Sequence, residues 1–176
     1  MAYLLRIAYD GATLDRSCSM SKASPSQSPA KQFASFLAKY DPKIASLARS
    51  ALVKMRKRLP GAVELVYDNY NALVIGFCPD LRPSNAIFSV VLYPRYVTLF
   101  FLHGAGLPDP HHRLEGTANR VRRITLNSAA TLDDPEIVSL MNTALHRAKV
   151  PLDPKQRRHL IIKSISAKQR PRRPSK

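Results

Sequence analysis

The chain has 176 residues, of which 45% are hydrophobic, and its formal net charge is +16. This length and composition favour one domain with an ordinary hydrophobic core and additional tails. No apolar run reaches the roughly 18 residues of a membrane-spanning helix, and the N-terminal residues do not resemble a secretory signal. The two cysteines, Cys18 and Cys78, make neither a disulfide framework nor a four-ligand zinc site. We therefore expect a cytoplasmic protein in which both are free thiols.

Positive charge is concentrated at the C-terminus, where residues 155–176 contain nine Lys or Arg residues and no acidic one. Such a composition predicts a largely disordered basic tail, which either improves solubility or binds nucleic acid without sequence specificity. The candidate nucleic-acid contacts are Arg157, Arg158, Arg170, Arg172 and Arg173.

The N-terminal extension, residues 1–28, is also predicted to be disordered, because residues 17–28 are rich in serine and poor in large apolar side chains. Met20 is followed by a segment typical of a bacterial N-terminus, so translation is expected to start there. The domain itself is predicted to span residues 29–154.

Three helices are predicted from residue pairs in which a capping side chain precedes proline, the residue favoured at the first helical position. These pairs are Ser28-Pro29, Asp41-Pro42 and Asp134-Pro135. Apolar residues follow each pair at spacings of three and four, as expected for helices that bury one face.

Five strands are predicted between and after these helices, at residues 62–67, 71–77, 86–93, 96–102 and 122–126. The two-residue link Pro94-Arg95 requires the third and fourth strands to be antiparallel, since a parallel crossover needs a much longer connection. Residues 160–165 (LIIKSI) are compatible with a strand or a helix, and the sequence alone leaves both open.

Three consecutive segments resemble the YdhG-like family, a bacterial domain of unknown function. They are RLPGAVELVYDNYNAL, VVLYPRYVTLFFLHGAGL and DPHHRLEGTANRVRRITL, and the signature positions are Leu107, Asp109, Pro110, Leu114, Gly116 and Arg122. The resemblance covers about residues 30–150. It implies a two-layer α/β (α+β) domain, with helices packed on one face of a curved antiparallel sheet of about five strands. This architecture is grouped with secretion-chaperone-like and YjbR-like domains, and it implies no established enzyme activity, catalytic residue or cofactor.

A small-ligand site is predicted from polar residues in two parts of the chain. Glu64, Tyr67 and Tyr70 surround the first hairpin, which in the family borders the concave surface of the sheet. Asp109, His111 and Arg122 follow the fourth strand and are suited to hydrogen-bonding a polar or anionic ligand. The structural alternatives are that Glu64 pairs with a basic side chain and that Asp109 caps a turn beginning at Pro110.

A metal site is the weaker alternative, because His111, His112 and Glu115 have spacings that could bring ligands together on a helical turn. Some YdhG-like members have been discussed as frataxin-like iron carriers. Such a role requires clustered carboxylates, but the first two predicted helices offer only Asp41, and the cluster of Asp133, Asp134 and Glu136 is interpreted as a helix start. We therefore expect a non-catalytic accessory module without a cofactor, which binds a small ligand or a protein, or nucleic acid through its tail.

Overall fold

The computed structural model describes residues 28–173, so the predicted N-terminal extension and the start at Met20 lie outside the described residues. The helices are α1 (Pro29–Ala38), α2 (Pro42–Arg58) and α3 (Pro135–His146). The strands are β1 (Val63–Asp68), β2 (Leu73–Cys78), β3 (Phe88–Leu92), β4 (Val97–Phe101), β5 (Arg122–Leu126) and β6 (Leu160–Ile165). Short 3₁₀ helices cover Pro83–Asn85 and Ala129–Asp133.

All three predicted helix starts are confirmed. The side chains of Ser28, Asp41 and Asp134 each accept a hydrogen bond from a backbone N–H in the first turn, at 3.4, 2.8 and 3.0 Å. Each cap is followed by proline at the start of the helix. A capping oxygen satisfies one of the N–H groups that has no partner within the helix, which explains why these short sequence signals are reliable.

The six strands form one sheet in the order β5-β4-β3-β2-β1-β6. Strands β1 to β5 are antiparallel neighbours in chain order, and the predicted hairpin between β3 and β4 is confirmed by the Tyr93 N to Tyr96 O bond of 2.9 Å. Strand β6 pairs in parallel with β1, so the sheet is mixed and has one strand more than the family resemblance implies. The α+β class, with helices packed on a sheet, is confirmed.

The main core lies between the helices and one face of the sheet. Its largest fully buried side chains include Tyr40, Met55, Phe77, Phe88 and Phe101, and the last two rings meet edge to face with centroids 5.3 Å apart. Two smaller apolar clusters occupy the opposite face of the sheet, and neither contains a residue of a described helix. Because the central strands are buried on both faces, their sequences are nearly continuous apolar runs in which polar and apolar residues alternate only loosely.

The C-terminal segment differs from the predicted disordered tail over residues 155–173. Strand β6 is hydrogen-bonded into the sheet, and flanking bonds run from Glu64 N to His159 O (2.7 Å) and from Ser166 N to Asp68 O (2.8 Å). Arg172 lies further along and is only 4% exposed. The basic composition predicted disorder, but the apolar residues of β6 have a partner in β1.

Within residues 28–173, none of the helices has the length and apolar character needed to cross a membrane.

Candidate functional site

The six residues of the predicted small-ligand site do not come together. Glu64 and Tyr67 lie on β1 and Tyr70 follows that strand, whereas Arg122 lies on β5. Strands β1 and β5 are four strand positions apart, which corresponds to roughly 19 Å at the usual spacing of about 4.8 Å. Asp109 and His111 belong to the loop between β4 and β5. A ligand that contacts both groups would have to span most of the sheet.

Glu64 is a buried partner in an ion pair, with 1% of its side chain exposed. Its two carboxylate oxygens accept hydrogen bonds from Arg56 Nε (2.8 Å) and Nη2 (2.7 Å) on helix α2, and Arg158 Nε lies 3.7 Å from the same carboxylate. The hydrogen bond to Glu64 raises the pKa of Arg56. Bidentate pairing of this kind occupies the carboxylate. Glu64 therefore pairs with a basic side chain, which was the alternative to a ligand contact.

The tyrosines near Glu64 differ in exposure. Tyr67 is 8% exposed and belongs to a cluster on the sheet face away from the helices, whereas Tyr70 is 50% exposed in the turn after β1. Tyr70 is therefore the accessible member of this predicted group.

Asp109 caps the turn that begins at Pro110. Its Oδ1 accepts from Arg113 N (2.9 Å) and its Oδ2 from Leu114 N (2.8 Å). His112 has φ +52°, a left-handed conformation that bends the chain within this turn. The conspicuous run of Asp, His and Glu residues thus builds a turn.

Arg113 fixes this turn to the start of helix α3. Its Nη1 lies 2.5 Å from Glu136 Oε2 and its Nη2 lies 2.7 Å from Asp134 Oδ2. The hydrogen bond from Arg113 lowers the pKa of Asp134. His111 Nε2 lies 3.6 Å from Glu136 Oε1, at the margin of the same cluster.

The residues of the predicted metal site are not assembled as ligands. His111 and His112 are exposed, and Glu115 pairs with Arg123 at 3.3 Å. Among the described residues, no group of three or more His, Cys, Asp or Glu side chains is arranged to hold a metal ion.

Arg122 and Arg120 take different partners beside β5. Arg122 Nη1 donates to the carbonyl oxygens of Ala118 (2.5 Å) and Val121 (2.9 Å). Arg120 Nη2 lies 2.9 Å from His103 Nδ1, and partial burial together with the nearby Arg120 and Lys149 charges lowers the pKa of His103. Because a guanidinium group can only donate, His103 is the acceptor in this contact.

A set of exposed positive charges lies along and beside β6, and we call it the β6 edge. It consists of exposed basic side chains on one continuous segment: Lys155, Arg157, Arg158, Lys163, Lys168 and Arg170. Of these six, Arg158 alone has an ion pair with an acidic side chain in the described part of the chain. Its partner, Glu64, is already held by Arg56. The β6 edge is thus rich in cations that the fold does not neutralise.

Beyond this edge, Arg172 is enclosed by residues that we call the arginine cradle: Tyr40, Asp68, Asn69 and Tyr70. Arg172 Nη2 donates to Asp68 Oδ1 (2.9 Å) and to the Asn69 carbonyl, and Nη1 donates to Tyr70 O (3.3 Å). The guanidinium carbon lies 5.6 Å from the centroid of the Tyr40 ring. The sequence does not predict this site, because Arg172 and Asp68 are 104 positions apart and no local pattern links them.

An open groove of about 520 Å³ lies between helix α2 and the segment after β5. None of the residues in the predicted ligand or metal sites lines this groove. Its lining residues are Pro42, Lys43, Ser46, Leu47, Ser50, Asn127, Ser128 and Ala129.

Comparison with protein-family models, with curated proteins and with solved structures found no match for this chain.

Cys78 is fully buried at the end of β2, and burial raises the pKa of its thiol to about 12. Because the thiolate is the reactive form, we expect Cys78 to be inert towards a thiol reagent at pH 8. A Cys18→Ser variant should therefore give no reaction with dithionitrobenzoate in buffer and one equivalent in 6 M guanidinium. Rapid reaction of the folded variant would contradict the buried position of Cys78.

Proposed function

We propose that this protein is a non-catalytic binding module of YdhG-like architecture, and that its partner is a nucleic acid held at the β6 edge without sequence specificity. The observation that supports this function is the run of six exposed cations on residues 155–170, five of which have no acidic partner among the described residues. The resemblance to the YdhG-like family supports the architecture and gives no partner.

Electrostatics favours a polyanion over a small ligand. Residues 28–173 contain 24 Lys or Arg residues against 10 Asp or Glu residues, and six of those acids are already in ion pairs with Lys or Arg. Cations that contact phosphates release condensed counterions, and this release supplies most of the free energy of nonspecific binding. Phosphate contacts alone carry no sequence information, which is why we propose nonspecific binding.

Of the five arginines predicted to contact nucleic acid, four are exposed and one is buried. Arg157, Arg158, Arg170 and Arg173 are exposed, whereas Arg172 is buried in the arginine cradle. The proposed contacts are therefore the members of the β6 edge, with Arg173 beside them.

The test is the binding of a fluorescent 20-base-pair DNA duplex at several salt concentrations. We expect measurable affinity in 50 mM salt that falls steeply as salt rises. The variant Arg157→Ala/Arg158→Ala/Arg170→Ala should bind more weakly, and the negative slope of log K against log[salt] should become less steep by about 0.9 for each phosphate that the variant no longer neutralises.

The matched control is Lys31→Ala/Lys43→Ala/Arg49→Ala, which removes the same number of positive charges from exposed positions on helices α1 and α2. If binding depends on the β6 edge, this control keeps most of the wild-type affinity. Equal losses in the two triple variants would show that only net charge matters, and absence of duplex binding at low salt would reject the function.

A small ligand or a protein partner is a second proposal, favoured by the open groove beside α2, whose lining offers hydroxyl and amide groups. Chemical-shift changes confined to Ser46, Ser50 and Asn127 in a ligand screen would support it. A screen that leaves these signals unchanged would reject this second proposal.

A further inference from the structure

The segment that follows β6 is attached to the domain by polar contacts around Asp68. Ser166 N and Gln169 Nε2 donate to the Asp68 carbonyl, at 2.8 and 3.4 Å, and Arg170 N donates to Tyr70 O at 2.9 Å. Arg172 then enters the arginine cradle. We call residues 166–173 the strap, because they lie across the end of β1 and reach the end of helix α1.

Arg173 is the last described residue of the strap, and it extends these contacts to α1. Its Nε lies 3.3 Å from Tyr40 O and its Nη2 lies 3.2 Å from Ala38 O. The strap therefore uses two adjacent arginines, and their acceptors are backbone carbonyls together with one carboxylate.

The cradle fits a guanidinium group better than an ammonium group. Its acceptors, on Asp68, Asn69 and Tyr70, are reached by two different nitrogens of the same planar group, and the Tyr40 ring lies beside that group. A lysine has one nitrogen and cannot donate in this forked geometry.

Docking of Arg172 is nevertheless incomplete. Arg172 Nε and Asn69 Nδ2 are buried donors without an acceptor in the described structure, and an unsatisfied buried donor opposes burial. Asp68 also has a second cation, because Lys39 Nζ lies 2.7 Å from Asp68 Oδ2. Departure of Arg172 would therefore not leave the Asp68 carboxylate without a partner.

We propose that the strap is an autoinhibitory element: nucleic acid displaces it from the arginine cradle, and Arg172 becomes a phosphate contact only after displacement. This inference rests on the proposed function. While the strap is docked, Asp68 competes with phosphate for Arg172. The apparent affinity for nucleic acid is then the affinity of the released form multiplied by the fraction of molecules in which the strap is released, so it rises as that fraction rises.

The experiment compares duplex dissociation constants for Asp68→Asn and Asp133→Asn. Each variant removes one negative charge that lies in an ion pair, but Asp133 is 52% exposed and pairs with Lys54 and Arg58, far along the chain from the strap. We expect Asp68→Asn to bind the duplex about threefold more tightly than Asp133→Asn, or better, because the released fraction rises.

Arg172→Lys is the second variant, since it keeps the positive charge, loses the forked hydrogen bonds and leaves Asp68 paired with Lys39. It should also bind more tightly than the wild type, and it provides the test if far-ultraviolet circular dichroism shows that Asp68→Asn is unfolded. Wild-type binding with no gain in either variant over its reference would overturn the strap inference and leave the proposed function standing. Failure of the wild type to bind duplex would overturn both.

Discussion

Replacing Glu64 by alanine is expected to lower the free energy of unfolding by about 3 kcal/mol, because removal of one partner from a buried pair leaves the other charge uncompensated. Arg56 would lose both of its hydrogen bonds to Glu64 while three quarters of its side chain stays buried. Because the rest of the Arg56 side chain is exposed to water, we expect a loss of unfolding free energy at the lower end of the range for broken buried pairs. Urea unfolding followed by circular dichroism measures it.

The matched control is Glu115→Ala, because Glu115 also pairs with an arginine, at 3.3 Å from Arg123, but both side chains are about half exposed. An exposed pair of this kind contributes less than about 1 kcal/mol. The double variant Arg56→Met/Glu64→Leu should recover most of the lost stability, since apolar replacement of a buried pair is often close to neutral. Equal losses in the two single variants would show that the buried Arg56–Glu64 pair stabilises the fold no more than an exposed pair does.

Replacing Gly61 by alanine is expected to lower the free energy of unfolding by about 3 kcal/mol or more, through strain and a steric clash. Gly61 joins α2 to β1 with φ +78°, in the left-handed region that alanine rarely adopts. An added Cβ would lie 1.8 Å from the backbone oxygen of Asp153. That oxygen belongs to the segment that leads into β6, so relief of the clash requires this segment to move.

Gly106→Ala separates the two causes, because Gly106 has φ +81° but an added Cβ would meet nothing within 4 Å. We expect Gly106→Ala to lower the free energy of unfolding only by the cost of the left-handed backbone conformation, about 1 to 2 kcal/mol. Urea unfolding of both variants gives the comparison. If Gly61→Ala loses no more unfolding free energy than Gly106→Ala, the backbone at Asp153 does not pack against Gly61 as the structure shows.

Local chemistry explains which elements could be predicted from the sequence. The helix starts at Ser28, Asp41 and Asp134 depend on a cap and a proline within two residues, and the β3–β4 hairpin depends on a two-residue link. The turn capped by Asp109 was among the predicted alternatives for the same reason. In each case the interacting groups are close in sequence, so their spacing carries the information.

The elements that were not predicted depend on distant residues. Residues 160–165 become a strand because β1 offers its free edge about 100 residues earlier in the chain, and no local period distinguishes a short apolar strand from a helix. Arg172 was assigned to a disordered tail because of the basic composition of residues 155–176, and its partner Asp68 is 104 positions away in the sequence. The small-ligand site failed to assemble because its two halves were grouped by residue type, whereas strand order places them far apart.

The parallel pairing of β6 with β1 also has a consequence for how the molecule reaches its native state. Strands β1 to β5 connect neighbours in chain order, so their contacts close comparatively short loops, whereas the β1–β6 contacts close one of about 100 residues. Long-range pairing of this kind is intrinsically slow to form. An early intermediate would therefore leave the outer edge of β1 unpaired until the C-terminal strand arrives. Aggregation during refolding should begin at that edge, and a synthetic peptide matching residues 160–165 should suppress it.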